Sequence, residues 1–289
     1  MSGSMHQESD DTKLTDLTIY QSYRRSPYLS RKHSSYFPTY QDLLERYRNK
    51  PIVFLEVGVL NGGSLFMWRD FFGPAARIIG VELNPEAKKW EQSGFEIYLG
   101  SQSDPKFWRD LFEKIGPVDV ILDDGGHTNE QQIVTVCESL PFVRDGGMVI
   151  VEDTHTSYFR EFGNPSPYSF MNFAKSVVDE INGRCPWVRK SKHQRHNYIW
   201  SVAFYESIVC FNVDRTKSFV SWPTSNSGAS SNAQDYRHHQ SPIDILERLR
   251  ARLSNGPSPG GMRRVAIKAV NVLSYFLVRF ESRKLRRYF

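Results

Sequence analysis

Two apolar runs that stop abruptly at carboxylates constrain this chain more than any other feature. One is Ile121-Leu-Asp-Asp-Gly-Gly-His-Thr128 and the other is Val149-Ile-Val-Glu-Asp-Thr-His155. A short continuous apolar run reads as a strand buried on both faces of a parallel sheet. Open α/β sheets bind ligands outside the carboxyl ends of such strands. Asp123, Asp124, Glu152 and Asp153 are therefore expected in one crevice, with His127 beside them. Carboxylates crowded into a small space need protons or a cation to relieve their repulsion. These residues thus read as a divalent-metal site with a histidine base next to it.

A third apolar run, Pro51 to Val59, reads as another buried parallel strand. It enters Leu60-Asn-Gly-Gly-Ser64 and then a helix over 65–72. Gly58, Gly62 and Gly63 let the backbone turn sharply and approach a ligand closely. The helix N-terminus behind them offers unpaired N–H groups. The spacing is neither GxGxxG nor GxxxxGK, so phosphate cradling is not the first choice. The next strand, 76–84, carries Glu82. An acid about 20 residues past a glycine turn can accept hydrogen bonds from both ribose hydroxyls of a nucleoside. Loop and acid together point to a nucleoside cofactor. Ser101, Gln102 and Ser103 follow a strand at 95–100 and are placed to read an adenine edge.

Strands at 118–124 and 146–153 and helices at 105–115, 129–140 and 169–182 continue the alternation. The last two helices present Ile133, Val136 and Leu140, and Phe170, Phe173, Val177, Val178 and Ile181, as buried faces. Runs at 198–205 and 208–213 flank Glu206-Ser207 and read as a hairpin. The pattern predicts a doubly wound α/β sheet with an antiparallel edge. Residues 1–18 read as disordered and 20–40 as an arm that folds over the site or wraps the surface. A helix is expected at 40–48, with Leu43, Leu44 and Tyr47 on one face. After a polar linker at 225–231 come a helix at 241–253, a breaker at 254–261 and one basic amphipathic helix over 262–289. The expected division is an arm and first helix over 1–48, a catalytic domain over 49–215, and a linker with a basic tail over 216–289.

Charge is unevenly spread. Residues 248–289 hold 11 Lys/Arg against one Glu, or +10, so the other 247 residues sum to −5 within a net charge of +5. The mildly acidic body gives no reason to expect a nucleic-acid partner. Cys137, Cys185 and Cys210 lack CxxC spacing and read as buried free thiols in a reducing compartment. The start of the chain lacks an apolar signal region, and no apolar run reaches the ~18 residues of a membrane span. A cytoplasmic homo-oligomer is expected. The tail suits an anionic membrane surface, with a peripheral contact at the inner face through residues 262–289. Packing of that helix on the body or on a partner subunit is the alternative.

Five segments carry a family resemblance. They are Leu55-Glu-Val-Gly-Val-Leu-Asn-Gly-Gly-Ser-Leu65, Gly80-Val-Glu82, Gly100-Ser-Gln-Ser-Asp104, Leu122-Asp-Asp-Gly-Gly-His127 and Val151-Glu-Asp-Thr-His-Thr-Ser-Tyr158. Together they resemble the class I S-adenosylmethionine-dependent methyltransferases. More narrowly, they resemble the metal-dependent sugar O-methyltransferases of macrolide pathways, of the mycinamicin and tylosin type. The cephalosporin hydroxylase-like group is among the relatives. The resemblance covers about residues 30–215 and implies a Rossmann-like seven-stranded sheet with an antiparallel C-terminal hairpin. It further implies that Glu56 and Gly58, with Gly62 and Ser64 in the following turn, hold the methionine part of S-adenosylmethionine. Glu82 would hold the ribose, and Ser101, Gln102 and Ser103 would lie near the adenine. Asp123 would sit between cofactor and metal, and Asp124, Glu152 and Asp153 would bind Mg²⁺ or Mn²⁺. His127 would be the general base, and Gly126 stands where relatives often have Ser.

The implied reaction moves a methyl group to a sugar hydroxyl of a glycan, glycolipid or glycosylated natural product. A hard divalent cation lowers the pKa of a hydroxyl, and a histidine can then take the proton. Two other readings stand beside it. One is an oxidoreductase, either a nicotinamide-dependent enzyme or a hydroxylase; the missing GxGxxG and the lack of an obvious 2-His-1-carboxylate set oppose it. The other is a catalytically idle cofactor-binding module, opposed by the intact Glu56, Glu82, Asp124, His127, Glu152 and Asp153. His155 is expected to be structural.

Overall fold

The apolar runs of the sequence become the central strands of one seven-stranded sheet, ordered β3-β2-β1-β4-β5-β7-β6. The structure, a computed structural model, describes residues 14–188, 192–229, 231, 237, 241–254 and 260–288. The strands are β1 (Val53–Val57), β2 (Arg77–Glu82), β3 (Glu96–Leu99), β4 (Val118–Asp123), β5 (Val143–Val151), β6 (Ile199–Tyr205) and β7 (Ile208–Val213). The first five are parallel, and β7 runs antiparallel between β5 and β6. The helices of this part are α1 (Thr18–Arg25), α2 (Tyr36–Leu44), α3 (Gly63–Phe72), α4 (Pro105–Ile115), α5 (Asn129–Ser139) and α6 (Phe170–Asn182).

Successive strand residues point to opposite faces, and here both faces are covered. Phe54, Val120, Leu122 and Ile150 pack on one side with Tyr40, Trp68 and Phe72 from α2 and α3. Leu55, Ile121, Val149 and Phe211 pack on the other with Trp108, Val136 and Phe170 from α4, α5 and α6. That is why the strands are apolar at both parities.

The chain moves outward from β1 to β3 and returns to β4, so β1 and β4 flank a topological switch point. Register places Val57 opposite Asp123, and Asp123 opposite Val151. Gly58, Asp124 and Glu152 therefore leave the sheet side by side. The Asp124 N–H donates to the Val57 carbonyl at 3.0 Å, and the Glu152 N–H to the Asp123 carbonyl at 2.9 Å.

The arm departs from expectation. The helix expected at 40–48 begins at Tyr36 and ends at Leu44, followed by a 3-10 turn at Glu45–Tyr47. Tyr36, Phe37, Tyr40 and Leu44 are its buried face. Placing the arm's boundary at Tyr40 cut this 3.6-residue period in two. A further helix, α1, buries Ile19 and Tyr20 and packs against α3, where Arg25 pairs with Asp70 at 2.5 Å. Of the stretch read as disordered, residues 1–13 lie outside the described residues and Leu14 is buried. In α6 the buried face is Phe170, Ala174 and Val177, and Val178 is exposed. The three cysteines are free, but only Cys210 is fully buried.

The chain divides into two units, Met1–Pro223 and Thr224–Phe289. The second contains α7 (Pro242–Ser254) packed against α8 (Gly261–Glu281), with Ser241 Oγ donating to Glu281 Oε1 at 2.9 Å. The single helix expected to Phe289 gives way to 3-10 turns at Ser282–Tyr288. Like charges on Arg283, Lys284, Arg286 and Arg287 disfavour further α-helical spacing. Residue 230 of the expected linker and 255–259 of the expected breaker lie outside the described residues. Among those described, no helix is long and apolar enough to cross a membrane.

Phe211 is fully buried on β7, with its ring 6.3 Å from that of Phe170 and 6.4 Å from that of Phe173. Phe211→Ala is expected to destabilise the fold by about 3–5 kcal/mol, read from the urea midpoint.

Candidate active site

The loop after β1 forms the floor of the site. Gly58 has φ +89°, and a Cβ there would lie 2.1 Å from the Asp124 carbonyl oxygen. Only glycine fits between these two strand ends. A cavity of about 420 Å³ opens above it. Its wall includes Gly58, Ser64, Glu82, Gln102, Asp124, His127 and Asp153, with Leu29, Ser30 and Arg31 from the arm. The Glu82 carboxylate accepts from four backbone N–H groups: Val59 and Leu60 at 2.9 Å, Leu83 at 2.8 Å and Asn84 at 3.1 Å. Burial would raise its pKa, but these donors outweigh it and hold the carboxyl below its usual range.

Glu56 and Asp123 sit behind this wall. Glu56 is fully buried and accepts from Ser64 Oγ at 2.8 Å and Trp68 Nε1 at 3.0 Å. Burial pushes its pKa up to about 7, against the opposing charge of Lys32. Gln102 Nε2 donates to Asp123 Oδ1 at 2.9 Å, and Gln102 Oε1 accepts from the Gly126 N–H at 2.9 Å. Burial pushes the Asp123 carboxyl up as well, despite these bonds. Three more of the residues expected at the cofactor, Gly62, Ser101 and Ser103, also lie off the wall. Gly62 abuts the Trp90 ring, and Ser101 Oγ accepts from the Ser103 N–H at 3.3 Å within its own turn.

The acids are met by residues that the sequence reading did not single out. Lys32 Nζ lies 2.5 Å from Asp124 Oδ2 and 2.8 Å from Glu152 Oε2, and its side chain is 1% exposed. Tyr40 donates its hydroxyl to Glu152 Oε1, and Tyr36 donates to Asp153 Oδ1. Burial disfavours the Lys32 ammonium, but Asp124, Glu152 and Glu56 reverse that and hold its pKa above the usual range. Burial pushes the Glu152 carboxyl up, and the ammonium acts against it. The four-residue spacing of Lys32, Tyr36 and Tyr40 was the available signal. It puts Tyr36 and Tyr40 on one face of α2, while Lys32 precedes the helix and joins them only through the fold.

His127 and Asp153 both adopt left-handed backbone, with φ of 58° and 54°. Such conformations cost non-glycine residues free energy and gather at functional sites. His127 Nε2 lies 3.3 Å from Asp153 Oδ2. His127 Nδ1 is buried without a hydrogen-bond partner among the described residues. Ligand atoms of Asp124, His127 and Asp153 all lie within 4.8 Å of one another. Ligands opposite each other on one Mg²⁺ sit about 4.2 Å apart, so the carboxylates of Asp124 and Asp153 are close enough to share one divalent ion, with His127 beside it.

His33, Asp153 and His155 form a second grouping within 4.8 Å. This is the 2-His-1-carboxylate combination not seen in the sequence, because His33 comes from the arm. Two of its ligand atoms are already engaged: Asp153 Oδ1 by Tyr36, and His155 Nδ1 with Ser207 Oγ. A second cavity of about 290 Å³ is lined by Arg31, Lys32, His33 and Tyr36 together with the acids. The two cavities share Arg31, Asp124 and Asp153. The acids therefore stand where a ligand in one cavity meets a ligand in the other.

Residues 55–154 match the family model described as a methyltransferase domain. The chain is 32% identical over 171 residues to the demethylmacrocin O-methyltransferase of Streptomyces fradiae, covering 54% of this chain and 43% of that one. It is 32% identical over 157 residues to the 8-demethyl-8-(2-methoxy-alpha-L-rhamnosyl)-tetracenomycin-C 3'-O-methyltransferase of Streptomyces olivaceus, covering 50% and 40%. The chain thus spans less than half the length of these relatives. Among solved structures it is similar to the MycE methyltransferase of the mycinamycin biosynthetic pathway in complex with Mg, SAH and mycinamycin VI. The TM-score is 0.61 at 26% identity, over 71% of this chain and 55% of that one.

Glu56 gives the site a measurable pH signature. Its carboxyl, raised from 4.5 to about 7 in the folded chain, keeps a proton that the unfolded chain has lost. Its contribution to stability is complete below the unfolded value and disappears as pH rises through the folded one. Between about pH 5 and 7.5, thermal melts of the wild type are expected to fall more steeply than those of Glu56→Gln.

Proposed function

The chain carries a methyltransferase domain over residues 55–154, and from that premise we propose that it is a metal-dependent O-methyltransferase. It moves a methyl group from S-adenosylmethionine to a sugar hydroxyl. The observation that carries this reading is the meeting of two cavities at Asp124 and Asp153, with His127 beside them. The cofactor takes the larger cavity. Gly58, Gly62 and Ser64, backed by Glu56, hold its methionine end, and Glu82 holds the ribose. Gln102 would lie on the adenine side, in the turn that Ser101 and Ser103 close, and Asp123, which it bonds from behind the wall, would sit between cofactor and metal. Asp124, Asp153 and Glu152 are the acids for Mg²⁺ or Mn²⁺. When bound, the ion lowers the pKa of the acceptor hydroxyl. His127 takes that proton, and Asp153 Oδ2, 3.3 Å from its Nε2, stabilises the imidazolium. Holding hydroxyl and methyl donor in line removes most of the remaining entropic cost. The rhamnosyl substrate named for one relative, and the Mg and SAH bound by the structural neighbour, support a saccharide acceptor and this cofactor pair.

The proposal extends to the basic tail as a peripheral membrane contact. Met262, Val265, Val272, Leu273, Phe276 and Phe280 of α8 are each at least half exposed. At 100° per residue they fall within an arc of about 100°. Lys268 and Arg279 border that stripe, and residues 248–289 carry +10. An apolar stripe edged by cations suits an anionic lipid surface.

Calorimetry is expected to show binding of S-adenosylmethionine and none of NAD; no S-adenosylmethionine binding would sink the proposal. In a radiolabelled methyl-transfer screen over glycan and glycolipid acceptors, EDTA should abolish turnover. His127→Ala should lower kcat by about 10²–10⁴-fold while leaving cofactor affinity unchanged. The full chain should co-sediment with phosphatidylserine vesicles but not with phosphatidylcholine ones. The double substitution Val272→Asp, Phe276→Asp should release it, and equal binding by that variant ends the membrane reading.

A further inference from the structure

The strongest unassigned feature is a lysine buried among the acids. We propose that Lys32 is a positioning residue of the catalytic centre, and that its ammonium stays between Asp124 and Glu152 when a divalent ion binds. The ion shares those carboxylates with the ammonium rather than displacing it. The proposal rests on the metal-dependent reading above.

Charge balance is the first argument. As ligands, which must be deprotonated, Asp124, Glu152 and Asp153 carry three negative charges within one cluster, and a divalent ion supplies only two positive ones. Lys32, 2.5 and 2.8 Å from two of these acids, supplies the third. Glu56 and Asp123 lie outside the cluster that Lys32 touches: Ser64 and Trp68 engage the one, and Gln102 and the Gly125 N–H engage the other. The second argument is what displacement would require. Glu152 has 0% side-chain exposure, so a displacing ion would itself have to pair with Oε2 out of reach of solvent, or leave that buried oxygen short of a partner. Withdrawing Lys32 would also lift the chain around it. Ser26 Oγ donates to the Gly63 carbonyl at 2.7 Å, Tyr23 donates to the Ser30 carbonyl at 3.2 Å, and Tyr36 holds Asp153.

The third argument is position in the chain. Ser30 and Arg31 wall the first cavity, while Arg31 and His33 wall the second. The residue that completes the charge balance therefore also fixes the arm over both cavities. It also holds two of the carboxylates in one orientation, by contacts of 2.5 and 2.8 Å. Lys32 does so from a segment about 90 residues upstream of the first acid.

The test uses the full chain with Mn²⁺ as the probe. Hydrogen exchange is followed over residues 26–36, and Mn²⁺ affinity is measured by electron paramagnetic resonance. In the wild type, saturating Mn²⁺ should leave exchange of the arm as slow as without it. Lys32→Met should exchange at least tenfold faster in either condition. It should also bind Mn²⁺ about tenfold more tightly, because a positive charge has left the neighbourhood. Lys32→Arg, which keeps the charge, should follow the wild type in both readouts and guards against loss of folding in the first variant. Faster exchange of the wild-type arm on adding Mn²⁺ would mean that the ion displaces the ammonium, and would overturn the proposal. So would Mn²⁺ affinity in Lys32→Met that is equal to or weaker than that of the wild type. Absence of Mn²⁺ binding to the wild type overturns the metal reading itself, and is seen separately from either result.

Discussion

Repulsion among carboxylates that cannot move apart governs the centre of this molecule. Asp124, Glu152 and Asp153 are fixed at the ends of two hydrogen-bonded strands. Buried charge of one sign is tolerated only when paired and hydrogen-bonded. The arm supplies that pairing through Lys32, Tyr36 and Tyr40. The N-terminal segment is thus bound to the domain by electrostatic necessity as well as by apolar packing. Arm, first helix and acid cluster form one structure.

Sheet register explains why the acids converge at all. Val57, Asp123 and Val151 lie abreast across three parallel strands, so the next residue of each strand emerges at the same height. At that level the β1 chain must be glycine, because the carbonyl of Asp124 passes too close for a Cβ. His127 and Asp153 both have left-handed backbone, and their side chains meet, with Nε2 3.3 Å from Oδ2. Strain is concentrated where geometry must be exact, while regular strands and two apolar layers hold the frame.

Much of this was legible beforehand. Continuous apolar runs marked β1, β4 and β5, and the pair flanking Glu206-Ser207 marked the antiparallel edge. Gly58, Glu82, Asp124, His127 and Asp153 were expected together and share one cavity wall. The differences have local causes. Ser101 and Ser103 follow the expected strand in a turn that closes on itself, and Gln102 between them lines the cavity. The helix at Tyr36 was cut by a boundary placed inside its period. Lys32 looked like one more cation in a polar arm, because nothing in a linear sequence shows that residue 32 meets residues 124 and 152.

The sequence by itself determined the sheet, its edge, the glycine turn and the acids at the strand ends, because periodicity and strand termini are short-range properties of the chain. Tertiary structure alone decided which cation answers those acids, which oxygens it takes, and that two cavities rather than one open onto them. Those depend on contacts across roughly a hundred residues, where only burial and Coulomb energy in the folded state select one partner among many.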